Sequence, residues 1–271
     1  GKAISKEELP LENKMDIEAV KKEKLPLMLL VEDEKDMRDF MTDSLQNEFS
    51  IISSNDGVEG FQNATKRIPD IIISDVMMPN MDGFEFCKKI KTDVRTSHIP
   101  VILLSAKGDA QSKLAGVKHG ADDYVGKPFK LDYLVTKAKN LIEQRNSLKV
   151  SFVKQKTLEP SKISITSLDE NLMRKVIDFI EENIDNHDLN VQMLSDLLKM
   201  SHVNFYRKIK GLTGQTVTEF IRTVRLKRAG QLLKSKQYNV KEVMFMVGFT
   251  HRSYFSKMFK EQFGENPKDY S

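Results

Sequence analysis

The chain has 271 residues, of which 39% are hydrophobic and 30% charged, with a formal net charge of +4; this size and composition suit two soluble globular domains better than one. No apolar run approaches the roughly 18 to 20 residues of a membrane-crossing helix, and the start lacks the apolar stretch of a signal peptide, so a cytoplasmic setting is expected. The single cysteine, Cys87, excludes an internal disulfide framework, and with no histidine or second cysteine beside it in sequence it gives no support to a zinc site.

Residues 1–25 are dense in Lys, Glu and Asp and poor in aromatics, the mark of a charged lead or linker. The chain opens on Gly1 rather than Met, as an excised piece would. From residue 26 short apolar runs alternate with amphipathic stretches. Leu27 to Val31, Ile51-Ile52, Ile71 to Ile73, Val101 to Leu104 and Asp123 to Val125 read as buried parallel strands. Helices fit between them at 36–48, 57–66 and 83–91, with a last one at about 131–145. Five such alternations predict a doubly wound α/β domain over 26–146, with a five-stranded parallel sheet whose functional groups gather outside the carboxyl ends of the strands.

Residues 147–168 carry Ser, Lys, Thr and Pro160 without sustained periodicity and read as a linker. From 169 to 271 every pattern is helical, beginning with Leu172, Val176, Phe179, Ile180 and Ile184 at helical spacing. This half holds an internal repeat. Asn190-Val191 returns as Asn239-Val240 at an offset of 49, and Arg207, Ile209, Lys210 and Gly214 return as Lys257, Phe259, Lys260 and Gly264 at an offset of 50. One residue is therefore added near 248–250, and two copies of one helix-turn-helix unit are implied.

Three features converge at strand ends: Glu32-Asp33, Asp75 and Lys127-Pro128. Crowded carboxylates raise one another's pKa unless a positive charge is supplied, and a hard cation such as Mg²⁺ with oxygen ligands supplies it. Asp75 is then placed as a carboxylate nucleophile toward a phosphoryl group, with Lys127 neutralising charge. An acid after a strand is often only a helix cap, a lysine there only a surface group, and Ser105, after the fourth strand, only a loop residue; four compatible residues, Asp33, Asp75, Ser105 and Lys127, at four strand ends make that explanation a poor one. A phosphatase using Asp75 in turnover is disfavoured, because the position two residues on, where an acid would protonate the leaving group, is Met77.

Leu29 to Asp33, Ile73 to Pro79 with Met81-Asp82-Gly83, Leu104-Ser105-Ala106, and Gly120 to Tyr124 with Lys127-Pro128-Phe129 closely resemble the receiver domain of two-component response regulators. The resemblance implies that Asp75 accepts the phosphoryl group from a histidine kinase. It implies Mg²⁺ on Asp33, Asp75 and the Met77 carbonyl, with Glu32 acting through water. It also implies that Ser105 and Tyr124 form a switch pair, that Lys127 stabilises the phosphoryl group, that the Lys127-Pro128 peptide is cis, and that the phosphorylated chain forms a homodimer through the face beside the receiver's fourth and fifth helices.

Between Arg207 and Lys260 thirteen Lys or Arg stand against two acids, Glu219 and Glu242, an asymmetry that points to a polyanion. Asn239 and Glu242 match a helix-capping arrangement, and Gly248 sits where a tight inter-helix turn belongs. Two recognition helices are predicted, about 201–210 and 251–263. Val203, Tyr206, Arg207 and Lys210 on the first, and Arg252, Ser253, Ser256 and Lys257 on the second, are the expected contacts to double-stranded DNA, with Arg207 and Arg252 suited to guanine. Tandem units suit two successive major grooves, roughly 34 Å apart. Residues 172–271 resemble the AraC family's DNA-binding domain, most strongly from Val240 to Lys260 and through Phe263-Gly264, Pro267 and Tyr270, with a long helix at about 217–233 joining the units. Together the two resemblances imply a phosphorylation-controlled transcription regulator with promoter DNA and RNA polymerase as partners. They imply no enzymatic activity beyond phosphotransfer to Asp75 and slow hydrolysis. The order of domains also resembles the C-terminal end of hybrid sensors that carry a histidine kinase upstream.

Overall fold

β-Branched and leucine-rich runs that are apolar at every position can be buried only on both faces, and three of them, Leu27 to Val31, Ile71 to Ile73 and Val101 to Leu104, form the centre of the first half of the chain, with the less apolar segments around Ile51-Ile52 and Val125 at its edges. The computed structural model describes residues 25–106, 120–154, 161 and 165–270. Strands β1 (Leu27–Val31), β2 (Ser50–Ser54), β3 (Ile71–Asp75), β4 (Val101–Ala106) and β5 (Asp123–Lys127) form one sheet in the order β2-β1-β3-β4-β5, and every pairing is parallel. Helices α1 (Lys35–Leu45), α2 (Gly57–Arg67), α3 (Gly83–Thr92) and α4 (Leu131–Lys154) pack on it. Alternation along the strands divides the core in two: Met28, Leu30, Ile71, Ile73, Ile102 and Leu104 face α1 and α4, whereas Leu29, Val31, Ile72, Val101 and Leu103 face α2 and α3. Asp56 and Asp82 start α2 and α3 by accepting backbone N–H bonds from Glu59 and Glu85. The fourth expected helix, between β4 and β5, falls on 107–119, outside the described residues.

The last helix of the α/β half differs from expectation. Instead of ending near Arg145 it runs to Lys154, through the first part of the stretch expected as a linker. The reason is a tertiary contact: Phe152 is fully buried in the core of the helical half and stacks on Phe220 with ring centroids 5.8 Å apart. Lys227 Nζ donates to the Phe152 carbonyl at 2.6 Å and lies 3.9 Å from that ring's centroid.

The helical half comprises α5 (Ser167–Glu182), α6 (Val191–Leu197), α7 (His202–Thr213), α8 (Val217–Lys234), α9 (Val240–Met246) and α10 (Arg252–Phe263). The repeat seen in the sequence is a repeat of structure. Asn190 and Asn239 cap α6 and α9, and Gly214 and Gly264 end α7 and α10 at φ of +74° and +81°. The added residue lies between the inter-helix turn and the second recognition helix: Lys199 at φ +52° and Ser201 in one unit correspond to Gly248 at φ +74° and His251 in the other. The long helix α8 is apolar on more than one face because it serves two cores. Val217, Phe220, Ile221 and Val224 pack with the first unit, and Leu226, Ala229 and Leu233 with the second. Among the described residues no helix is long and apolar enough to cross a membrane.

Candidate functional site

The acidic pocket forms because β1 and β3 are adjacent and end together, so that side chains following them share one rim. Carboxylate oxygens of Glu32, Asp33 and Asp75 all lie within 4.8 Å of one another. Glu32 is buried at 1% exposure and Asp75 at 8%, while Asp33 is exposed. Lys127, carried by β5 from the far side of β4, closes the cluster: its Nζ is 3.0 Å from Glu32 Oε2 and 3.0 Å from Asp75 Oδ2. Burial, reinforced by the Asp75 charge, raises the Glu32 pKa above the usual carboxylate value against the pull of Lys127. Burial alone would depress the Lys127 ammonium, but its bonds to Glu32 and Asp75 outweigh that and raise its pKa. One cation thus faces three acids, and the oxygen-only donor set with an exposed Asp33 fits a hard divalent ion. The Val76 N–H donates to Asp75 Oδ1 at 2.9 Å, which fixes the carboxylate. A close turn underlies this: Gly83 N–H donates to the Val76 carbonyl, and a Cβ on Gly83 would come within 2.2 Å of the Asp75 carbonyl oxygen.

Of the remaining predicted groups, Ser105 and Met77 lie at the same end of the sheet, whereas Tyr124 sits near the start of β5, opposite Leu103. Ser105 is buried and pairs in register with Gly126, next to Lys127. Tyr124 is half-buried, and its hydroxyl is enclosed without a hydrogen-bond partner among the described residues; burial raises its pKa. The Met77 side chain is exposed. The Lys127-Pro128 peptide is cis.

On the helical half, Val203, Tyr206, Lys210, Arg252, Ser253 and Lys257 are exposed, while Arg207 and Ser256 are half-buried. Phe205, Ile209, Phe255 and Phe259 fill the cores beneath them. The predicted cap is present as a reciprocal capping box between Asn239 and Glu242.

Sequence reasoning missed a third cluster, where the two halves meet. Lys208, beside Arg207 on α7, is fully buried against Asp169 of α5, with Nζ 2.5 Å from its Oδ1. Nζ also donates to Ser97 Oγ at 2.8 Å and meets His98 Nδ1 at 3.2 Å, both in the turn before β4. Ser97 Oγ donates to Asp169 Oδ1 as well. Burial and then the Lys208 charge push the His98 pKa well below its ordinary value, so the ring is neutral and its Nδ1 accepts. Burial lowers the Lys208 pKa, with Asp169 opposing. Next to this cluster Arg207 Nη1 donates to the Lys66 carbonyl of α2 at 2.6 Å. A signal was present in the sequence: Lys208 falls on the apolar stripe Phe205, Ile209, Leu212, a position that calls for a buried acid. Lys208 and Lys227 are two of the thirteen basic residues read as a polyanion-facing excess, and both instead hold the halves of the chain together.

Residues 28–139 match the response regulator receiver domain family, and residues 194–271 match a helix-turn-helix domain family. The chain is 39% identical to histidine kinase P4 of Formosa agariphila over 268 residues, 98% of this chain and 20% of that protein. It is 32% identical to the DNA-binding dual master transcriptional regulator RpaA of Synechocystis over 125 residues, 46% of this chain and 52% of that protein. A putative response regulator from Chloroflexus aurantiacus, at 33% identity, covers 44% of this chain and 99% of its own, with a TM-score of 0.42. The chain thus spans about a fifth of the first of these relatives and about half of the second. It carries a response regulator receiver domain followed by a helix-turn-helix domain of the AraC type.

Proposed function

We propose that this chain is a phosphorylation-controlled transcription regulator, the output end of a two-component pathway. The observation that carries the reading is Asp75, held between Lys127 and two further carboxylates in a chain whose second half repeats one helix-turn-helix unit, the first of its recognition helices being docked on the receiver. Asp75 attacks the phosphorus of a phosphohistidine on a histidine kinase; the P–N bond breaks, the imidazole leaves, and an aspartyl phosphate forms. Asp33, Asp75 and the Met77 carbonyl, assisted by Glu32, would hold Mg²⁺, which would supply charge neutralisation for the phosphoryl oxygens. Lys127 gives up its ion pair with Asp75 and turns to the new phosphoryl group, and Ser105 donates its hydroxyl to it. Tyr124, whose hydroxyl has no partner among the described residues, swings toward the space that Ser105 leaves.

The phosphorylated state changes domain docking, dimerisation, or both, and so the occupancy of promoter DNA. In the arrangement described here Arg207 is spent on the Lys66 carbonyl, so the first recognition helix must leave the receiver before that arginine can reach a base. Lys210, Val203 and Tyr206 would then enter one major groove, and Arg252, Ser253, Ser256 and Lys257 the next. Histidine kinase and RNA polymerase are the expected protein partners. The match to histidine kinase P4 over nearly the whole chain and a fifth of that protein supports a place within a larger hybrid sensor, and the proposed position is its C-terminal, cytoplasmic end.

The test is phosphorylation by a small acyl phosphate with Mg²⁺. The expected result is a mass gain of one phosphoryl group in the native chain and none in Asp75→Asn. Equal labelling of both would place the acceptor elsewhere.

A further inference from the structure

A recess between the two units of the helical half has no role in the contacts named so far. Its volume is about 470 Å³; apolar side chains such as Ile221 and Phe249 share the lining with Arg222, Arg225, His187, His251, Thr218 and Tyr254, and among the described residues no carboxylate lines it, the Asp188 carboxylate standing 3.8 Å from His187 Nε2 outside the lining. Cationic and neutral donors without an acid select an anion with several oxygens. Arg225 is the strongest sign. Its Nη2 donates to the Asn186 carbonyl at 2.5 Å and its Nη1 reaches the Gly248 carbonyl at 3.5 Å, but its Nε is enclosed with no partner among the described residues. Asp185 is the acid whose charge reaches Arg225, and it lies outside the lining. A half-buried guanidinium compensated by carbonyls and one such carboxylate keeps unspent positive charge toward the recess. Arg222 faces the same space, with Nη1 3.1 Å from the Tyr254 hydroxyl.

Position identifies the anion. Thr250, His251 and Tyr254 belong to the entry and first turn of α10, beside Arg252 and Ser253, while Thr218 stands at the start of α8, just after the first recognition helix ends. A duplex read in two successive major grooves must carry a stretch of its sugar-phosphate backbone across the space between the two recognition helices. We propose that this recess is a phosphate-oxygen site, filled by a backbone phosphodiester of the bound duplex between its two half-sites. The inference rests on the DNA-binding reading above. It assigns to Arg222, Arg225 and the two histidines a positioning role that carries no sequence information: they set the register of one recognition helix against the other.

The experiment measures affinity of the beryllofluoride-loaded full chain for a duplex selected for tight binding, across a salt series. Arg222→Gln is expected to reduce the slope of log K against log salt by about 1, and Lys175→Gln, on the exposed side of α5, to leave it unchanged. A single neutral methylphosphonate walked through the centre of the site should weaken the native chain at one or two positions and have no further effect on Arg222→Gln. If every central methylphosphonate is silent with the native chain, the proposal is overturned even should the variant fail to fold. If inorganic phosphate alone shifts the arginine side-chain resonances while the methylphosphonates stay silent, the recess takes a free anion and the DNA assignment is wrong. If the native chain binds no duplex in any state, the underlying functional reading fails first and takes this one with it.

Discussion

Lys208 Nζ lies 2.5 Å from Asp169 Oδ1, and neither side chain has any solvent exposure. Asp169 does two things at once. Its Oδ2 accepts the Thr166 N–H in the capping box that starts α5, and its Oδ1 takes the ammonium of Lys208 and the hydroxyl of Ser97 from the receiver. The start of the helical half, its first recognition helix and the receiver therefore meet at one carboxylate.

Removing either partner leaves the other charged and buried, which costs about 3–5 kcal/mol. Lys208→Met and Asp169→Asn should each destabilise the chain by that order in urea unfolding, and the double variant by clearly less than the sum. Additive single effects below about 1 kcal/mol would show that the pair does not hold the halves together.

Gly211 offers a cleaner test of docking. It sits on α7 against His98, and a Cβ there would stand 2.2 Å from the ring Nε2. Alanine favours an exposed helix over glycine by up to about 1 kcal/mol, so Gly211→Ala should leave α7 intact while wedging it from the receiver. The expected outcome is faster amide exchange at Ser97 and His98 and tighter DNA binding without phosphorylation. Unchanged exchange and affinity would mean that the contact does not restrain the recognition helix.

How much of this was legible in the sequence follows from what each feature depends on. The strands were, because Ile71 to Ile73 and Val101 to Leu104 are apolar at every position and so short that only a doubly covered strand fits. The repeat located both helix-turn-helix units because Asn190/Asn239 and Gly214/Gly264 perform local tasks, capping and left-handed termination, that the neighbouring residues determine. Lys199 was not recognised as the turn residue of the first unit, since a lysine at φ +52° carries no local mark of it. The end of α4 was misplaced for a different reason. Nothing between Asn146 and Lys154 shows that Phe152 is buried, because its pocket is made by Phe220 and Lys227, about seventy residues later. The acidic cluster was legible because each member follows a strand, whereas the Ser97, His98, Asp169 and Lys208 cluster draws on a turn and two helices with no common pattern.

Cys87 on α3 tests the burial of the receiver core directly. Burial is the main cause that pushes its thiol up to about 12, with Asp122 adding to the rise and Lys91 opposing it. At pH 8 to 9 iodoacetamide should therefore modify the folded chain only as fast as it opens. The raised folded pKa also sets a sign: as pH climbs from about 9 toward 12 the unfolded thiol ionises first, so this group lowers stability with rising pH. Cys87→Ser lacks that ionisation, so its stability should fall less steeply over the same range. Rapid labelling at pH 8 with the fold intact would contradict the placement of α3.

Helix α9 has only 7 residues and depends on its cap. Asn239→Ala should cost about 1 kcal/mol and loosen the support of α10. DNA affinity should fall while phosphorylation of Asp75 is unchanged. Loss of phosphorylation in this variant would indicate a coupling that the separate cores do not provide.

The central claim is that charge chemistry at Asp75 controls DNA occupancy by the helical half, and the most direct measurement is duplex binding over a salt series with and without beryllofluoride and Mg²⁺, in the native chain and in Asp75→Asn. The account predicts tighter binding to a preferred duplex on beryllofluoride addition, a salt slope that reports several phosphate contacts, and no response in the variant. Binding that is equal in all four conditions, or absent from all of them, would contradict it.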